Sequence, residues 1–214
     1  MQILLLCDDY WHPAEVIEQG ILSLKSTHDF TVVKTAKDIL TPEYIAKFPL
    51  IICCKGNALN AANTTPWFEP GVTEVMPADF EAYVKNGGGF LSLHAGNSFR
   101  EGEPYADFVG NHFLGHPPRC SVEVKTTHHS VFSDIPDFTV RDEHYAIALN
   151  CTDADVFCKT VSKSGGEQIG GYTRTLGAGR LCAFTLGHVL SVWENVHFQA
   201  ILNRAIFWCA GQVG

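Results

Sequence analysis

The sequence predicts an α/β domain with a doubly wound, mostly parallel sheet and an antiparallel extension. Three observations predict it. Short, continuous apolar runs such as Gln2–Cys7, Leu50–Cys54 and Phe90–Leu93 have the composition of strands buried on both faces. These runs alternate with stretches of helical periodicity, as βαβ units with right-handed crossovers require. Runs of period-two alternation then appear in the second half of the chain. A chain of 214 residues, 46% hydrophobic and 18% charged, can bury one substantial core, so a single domain over residues 1–214 is expected.

Taken in order, Gln2–Cys7 is the first strand and ends in Asp8-Asp9-Tyr10. His12-Pro13 opens a helix to about Ser26, with Val16, Ile17, Ile21, Leu22 and Leu24 at near-helical spacing and proline in a permitted first-turn position. Phe30–Lys34 and Leu50–Cys54 are the next strands. The Gly, Asn, Thr and Pro content of Gly56–Gly71 marks a long rim loop. Pro77–Asn86 reads as a helix closed by Gly87-Gly88-Gly89, which launches the strand Phe90–Leu93. Beyond His94 the pattern loosens through Pro118. Ser121–Lys125, Val156–Val161 and Gln168–Thr173 then alternate like half-exposed strands, the antiparallel block. Gly179–His188 returns to the parallel theme, and a helix from Asn195 to Ala210 closes the domain.

Composition excludes several function classes. A net charge of -8 without a Lys/Arg cluster removes the electrostatic footprint of a nucleic-acid binder. No apolar run approaches bilayer length and no leader pattern precedes Gln2, so a cytoplasmic protein without membrane association is expected. Of the eight cysteines, most lie in apolar runs and none forms C-x-x-C, the pattern of buried thiols in a reducing compartment. The triple glycine precedes a strand rather than a helix, so it is not a phosphate loop and no nucleotide cofactor is expected.

In doubly wound sheets ligands bind beyond the carboxyl ends of the strands. Four tips deliver Asp8 and Asp9, Lys55 to Asn57, His94 with Asn97, and His188. Ser92-x-His94-x-Gly96 has the spacing of a nucleophile elbow with imidazole in place of the nucleophile. Spacing leaves two readings of His94 open, a capping or core imidazole and a functional one. His188 follows Gly187, where close approach of a ligand or a neighbour is allowed, and the same two readings stand. If Arg141–Tyr145 is extended, Asp142 and His144 share one face and Glu143 and Tyr145 the other, either as an acid/base or metal pair or as a solvated edge. His112, His116, His128 and His129 add imidazoles, and ligation of a divalent metal such as zinc by imidazole with carboxylate is chemically reasonable, although no H-E-x-x-H is present. Tyr10, Trp11, Trp67, Phe68 and Trp193 suit ligand stacking or core packing equally.

Four ordered segments carry a resemblance: Leu4-Leu-Leu-Cys-Asp-Asp-Tyr-Trp-His-Pro13, Gly87-Gly-Gly-Phe-Leu-Ser-Leu-His-Ala-Gly96, Asp142-Glu-His-Tyr145, and Gly179-Arg180 leading to Leu186-Gly-His188. Over nearly its whole length the chain resembles the ThuA-like (trehalose utilisation) family of the class I glutamine amidotransferase-like superfamily. The resemblance implies a flavodoxin-like sheet whose elbow ordinarily carries cysteine, with histidine and glutamate after a late strand. Here the elbow is His94, the late histidine matches His188, and the position two beyond it is Leu190. Without the thiol, glutamine hydrolysis through a thioester is not expected.

The resemblance further implies carbohydrate metabolism, with trehalose-like disaccharides or their 3-keto derivatives as small-molecule substrates. The catalytic set it suggests is His94, Glu143, His188 and Asp142: Glu143 or His94 as base, His188 as acid or metal ligand, and Asp142 orienting an imidazole. Asp8, Asp9, Trp11, Asn97, Tyr145 and Trp193 are the expected substrate contacts. His94, His116, His144 and His188 are the expected metal ligands. A homo-oligomer is expected on general grounds. The competing reading is a non-catalytic sugar-binding or protein-interaction module on a scaffold that lacks its triad.

Overall fold

The computed structural model describes residues 1–34, 39–58, 67–68 and 75–212. The first half follows the expected alternation. It runs β1 (Gln2–Leu6), α1 (Ala14–Gly20), β2 (Asp29–Val33), α2 (Pro42–Ile45), β3 (Leu50–Cys53), α3 (Pro77–Lys85) and β4 (Gly89–Leu93). The second half continues with α4 (Pro104–Val109), β5 (Asn111–Gly115), β6 (Cys120–Thr126), β7 (Phe138–Asp142), β8 (Ala146–Leu149), β9 (Asp155–Ser162), β10 (Gly166–Leu176), β11 (Gly179–Phe184), α5 (Leu190–Trp193) and α6 (Val196–Cys209).

Among the described residues, nine strands form one sheet in the order β2-β1-β3-β4-β11-β10-β9-β6-β7, and β5 pairs with β8 separately. The pairings from β2 across to β11 are all parallel. From β11 outward every pairing is antiparallel. The α/β class and the antiparallel extension are therefore as the sequence predicts. The chain goes from β1 to β2 on one side and comes back to β3 on the other, which opens a crevice beyond the carboxyl ends of β1 and β3.

Strand alternation divides the core into two layers. Ile3, Leu5 and Cys7 pack with Ile17 of α1 and with Phe198 and Ile201 of α6. Leu4 and Leu6 face the other way, toward Phe80 and Val84 of α3 and Phe108 of α4. Burial of each large apolar side chain stabilises by about 1.5–3 kcal/mol, so a strand apolar on both sides is held from both faces.

Several elements depart from the sequence expectation, which does not assign α2, β7, β8 or α5. The first helix stops at Gly20 and continues as a 3-10 turn over Leu22–Ser26. Gly20 lies against Trp193, where a Cβ would come 2.6 Å from the indole, so packing fixes the end of the helix. The last parallel strand ends at Phe184 rather than His188, and Thr185–His188 forms the rim. The loosened stretch after His94 holds α4 and β5, both too short for periodicity to reveal. Most of the predicted rim loop Gly56–Gly71 lies outside the described residues. Among the described residues, no helix is long and apolar enough to cross a membrane.

Candidate functional site

β4 delivers His94 into a 3-10 turn, His94–Asn97, with His94 at φ +43. Left-handed backbone is costly for a residue with a Cβ, so the surrounding structure holds it there. Asn97 does much of that holding: its amide donates to Ser92 O and Phe184 O, both at 3.1 Å, and ties the turn to β4 and β11. Gly96 is required by close approach, since a Cβ there would lie 2.5 Å from the Cys53 carbonyl oxygen. The predicted elbow is present, and an imidazole occupies it.

Three further elements bring side chains to the same point. After β1, Asp9 and His12 close a tight turn through backbone bonds in both directions, 3.3 and 3.2 Å. His12 Nδ1 lies 2.8 Å from the Asp9 carboxylate. After β11, Gly187 at φ +128 turns the chain, and the backbone N–H groups of Gly187 and His188 donate to Asp142 at 2.7 and 3.1 Å. Glu143 directly follows β7. Its Oε2 lies 3.3 Å from His188 Nδ1, 3.6 Å from His94 Nε2 and 3.7 Å from His116 Nε2.

His12, His94, Glu143 and His188 each offer one ligand atom, all within 4.8 Å of one another. Their outer partners decide what those atoms are. His12 Nδ1–H donates to Asp9, and His94 Nδ1–H donates to Thr185 O at 2.8 Å. Each ring therefore turns its Nε2 lone pair inward.

Electrostatics agrees with that assignment. Burial pushes the His94 imidazole down to about 4, so it is neutral at physiological pH. Burial also lowers His188, with Glu143 opposing. Burial works to raise Glu143, but the imidazoles grouped around its carboxylate, His94 first and then His188 and His116, hold it below the usual carboxylate range. An ionised carboxylate thus meets two inward-facing lone pairs, an arrangement of acceptors that a cation satisfies. Three imidazoles and one carboxylate suit a borderline divalent ion such as zinc.

A cavity of about 540 Å³ opens beside this cluster, bordered by Asp9, His12, Glu143, Tyr145 and His116 on its inner side. Tyr145 stacks between His94, at 4.4 Å between centroids, and His116, at 5.5 Å. Its hydroxyl lies 3.4 Å from His12 Nε2, and burial raises the phenol well above its ordinary value. The inferred alternation after β7 holds in effect, because Glu143 and Tyr145 border the cavity while Asp142 and His144 do not.

The other sequence candidates fall elsewhere. Both nitrogens of buried His144 are engaged, by Ser162 at 2.7 Å and Thr160 at 3.0 Å, which places it outside the donor group. His116 touches Glu143 but is not one of the four converging donors. Asp142 holds backbone N–H groups rather than an imidazole, and burial pushes its carboxyl up to about 7 against the pull of those bonds. Asp8 accepts from Ala14 N at 3.0 Å and supports the start of α1. Asn97 is consumed by the elbow, and Trp193 is buried with its Nε1–H on Gly187 O at 2.8 Å. Lys55, expected at the rim, is buried over the Trp67 ring at 4.4 Å. Cys54 lies behind the imidazoles, and burial holds its thiol well above the ordinary range, so no thiolate nucleophile faces the site.

His12 is the member of the converging group that the sequence reading passed over. The available signal was Asp9-x-x-His12, a carboxylate three residues before an imidazole at a strand tip.

The family model described as ThuA, trehalose utilisation, matches residues 5–209. The chain belongs to the ThuA family. A ThuA-like protein from Bacteroides uniformis superposes with a TM-score of 0.71 at 17% identity, over 98% of this chain and 91% of that one. A second ThuA-like protein, from Parabacteroides merdae, gives 0.71 at 18% identity over 100% and 91%. A β-galactosidase from Rahnella sp. R3 gives 0.64 at 11% identity, over 94% of this chain and 30% of its own. At such identities these likenesses concern the ThuA fold. No curated protein matches the sequence.

Proposed function

We propose that the protein is a divalent-metal-dependent enzyme of carbohydrate metabolism that moves a proton beside a carbonyl in a trehalose-like 3-keto disaccharide. The observation that carries this reading is the convergence of His12, His94, His188 and Glu143, two of the imidazoles with their tautomers set from outside, at the edge of a cavity of sugar size. His12, His94 and His188 would hold the ion. When bound, a divalent cation supplies Lewis acidity toward a carbonyl or hydroxyl oxygen.

The base is Glu143 rather than His94. Glu143 is ionised and borders the cavity, whereas His94 is buried with its Nε2 between Glu143 at 3.6 Å and His188 Nδ1 at 3.4 Å. A carbonyl at C3 acidifies the hydrogen on C2. The Glu143 carboxylate takes that proton, and the electron pair moves into the enolate. Delivery of that proton to C3, with the O2 proton passing to O3, gives the 2-keto isomer; expulsion of the C1 oxygen substituent, which takes up the proton from Glu143 as it leaves, gives elimination. Tyr145, kept protonated by burial, is a neutral hydrogen-bond donor beside the base.

Elemental analysis of untreated protein and turnover of 3-keto-trehalose with and without added divalent metal test the reading. One bound ion per chain and metal-dependent turnover are expected. His94→Ala and His188→Ala should lose both. Glu143→Gln should keep the ion and lose about 10²–10⁴ in rate. Unchanged rates in both histidine variants would sink the assignment, and binding without turnover in the parent would make this a sugar-binding module.

A further inference from the structure

We infer that the outer half of the cavity is a second sugar subsite built on Trp11, which selects uncharged two-ring glycosides over monosaccharides and over phosphorylated sugars. The inference rests on the sugar reading above and extends it to the substrate class.

The chain has four tryptophans. Trp67, Trp193 and Trp208 are 5%, 1% and 8% exposed, while Trp11 is 65% exposed and borders the cavity. An indole left open at the mouth of a polar cavity offers a flat apolar face of the kind that packs on the C–H face of a pyranose. Its position is fixed relative to the inner cluster. The Trp11 backbone N–H donates to Asp9 Oδ1 at 2.9 Å, and the same oxygen lies 2.8 Å from His12 Nδ1. The ring also meets Tyr10 edge to face at 4.7 Å. Moving from Glu143 toward Trp11 therefore crosses from the buried donors to an aromatic platform anchored on one shared carboxylate.

Arg100, Glu103 and Phe113 complete the outer border. The Arg100 guanidinium lies 5.0 Å over the Phe113 ring and donates to Phe113 O at 3.2 Å, while its backbone N–H donates to the Glu103 carboxylate. Among the described lining residues, the outer cavity thus carries the Glu103 carboxylate beside the already partnered Arg100 guanidinium, with the Asp9 and Glu143 carboxylates further in beside the His12 and His116 imidazoles. Such a lining suits hydroxyl groups and disfavours a phosphate or carboxylate on the sugar. A cavity of about 540 Å³ also exceeds what one pyranose fills.

Calorimetry and tryptophan fluorescence of the full chain, metal-loaded and metal-free, provide the test, with trehalose, glucose and trehalose 6-phosphate as probes. Trehalose should bind at least about tenfold more tightly than either competitor and perturb the fluorescence, because the exposed indole is the one in contact. Trp11→Ala should abolish the fluorescence response and weaken trehalose about tenfold with glucose unchanged, and Trp11→Phe should restore most of the affinity. The residue is exposed, so folding is not at stake. Parent-like affinity in Trp11→Ala, preference for glucose or the phosphorylated sugar, or no binding of any probe would overturn the subsite. Trehalose binding without turnover of the 3-keto sugar would overturn the catalytic reading alone. Turnover indifferent to Trp11 would overturn the subsite alone.

Discussion

Asp9 gathers the N–H groups of Trp11, His12 and Gly56 at 2.9, 3.0 and 2.7 Å together with the His12 ring. Burial works to raise this carboxyl, but the His12 hydrogen bond, with Gly56 and Trp11, holds it below the usual range. Its charge keeps the proton on His12 Nδ1 and makes Nε2 the better donor to a metal. Asp9→Asn should therefore weaken divalent-ion affinity about 10–100-fold, measured by competition with a chromophoric chelator. Parent affinity in that variant would show that His12 needs no such orientation. His94 and His188 were visible in the sequence because each ends an apolar run, and Glu143 because it lies in the polar stretch Arg141–Tyr145. His12 was not, because His-Pro also opens a helix, and the turn that folds the imidazole back onto Asp9 is made by backbone bonds that carry no side-chain pattern.

At the scale of elements, the parallel strands were legible, β5, β7 and β8 were not, and the strand tips were legible only in part. β1, β3, β4 and β11 are buried on both faces, which a continuous apolar run records directly. The elbow was readable because Gly96 and Ala95 leave room for a sharp turn. Asp142 and Asn97 were read as chemistry and serve as ties between tips, since sequence does not distinguish a carboxylate facing a ligand from one facing two backbone N–H groups. The elbow also makes a quantitative demand. Gly96→Ala would put a Cβ 2.5 Å from Cys53 O and 2.7 Å from Ser92 Oγ, and neither strand can give way. A stability loss of about 1–3 kcal/mol in urea unfolding is expected, together with weaker metal binding as His94 shifts. A variant that unfolds like the parent would mean that the turn relaxes freely.

Across the whole molecule, imidazoles lowered by burial set the acid limit of the fold: His94 and His188 at the site, and His28, His129 and His144 away from it. His28 is buried with its pKa lowered by desolvation. His129 is likewise lowered by burial, with Asp155 opposing, and its Nδ1 accepts the Val131 N–H at 3.1 Å, which only the neutral ring can do. Both folded values lie below the unfolded one, so the unfolded chain binds more protons once the pH drops under about 6.5. Stability of the metal-free protein should be full above that pH and fall as the pH is lowered toward 5. Denaturant midpoints at pH 7.5 and pH 5 measure this, and His28→Gln with His129→Gln should flatten the slope. An unaltered slope in the double variant would assign the acid sensitivity to other groups.

The converging donors are residues 12, 94, 143 and 188, carried by the tips of β1, β4, β7 and β11. Synthesis runs from the N-terminus, so His12 and His94 emerge long before His188, and no partial chain ending before β11 possesses the full set. The proposed ion would therefore bind only once β11 has paired between β4 and β10, where it joins the parallel and antiparallel halves of the sheet. On the proposed metal reading, a chain truncated before β11 lacks His188 and would hold the ion less tightly, and a bound ion would favour the fold in which all four strand tips meet.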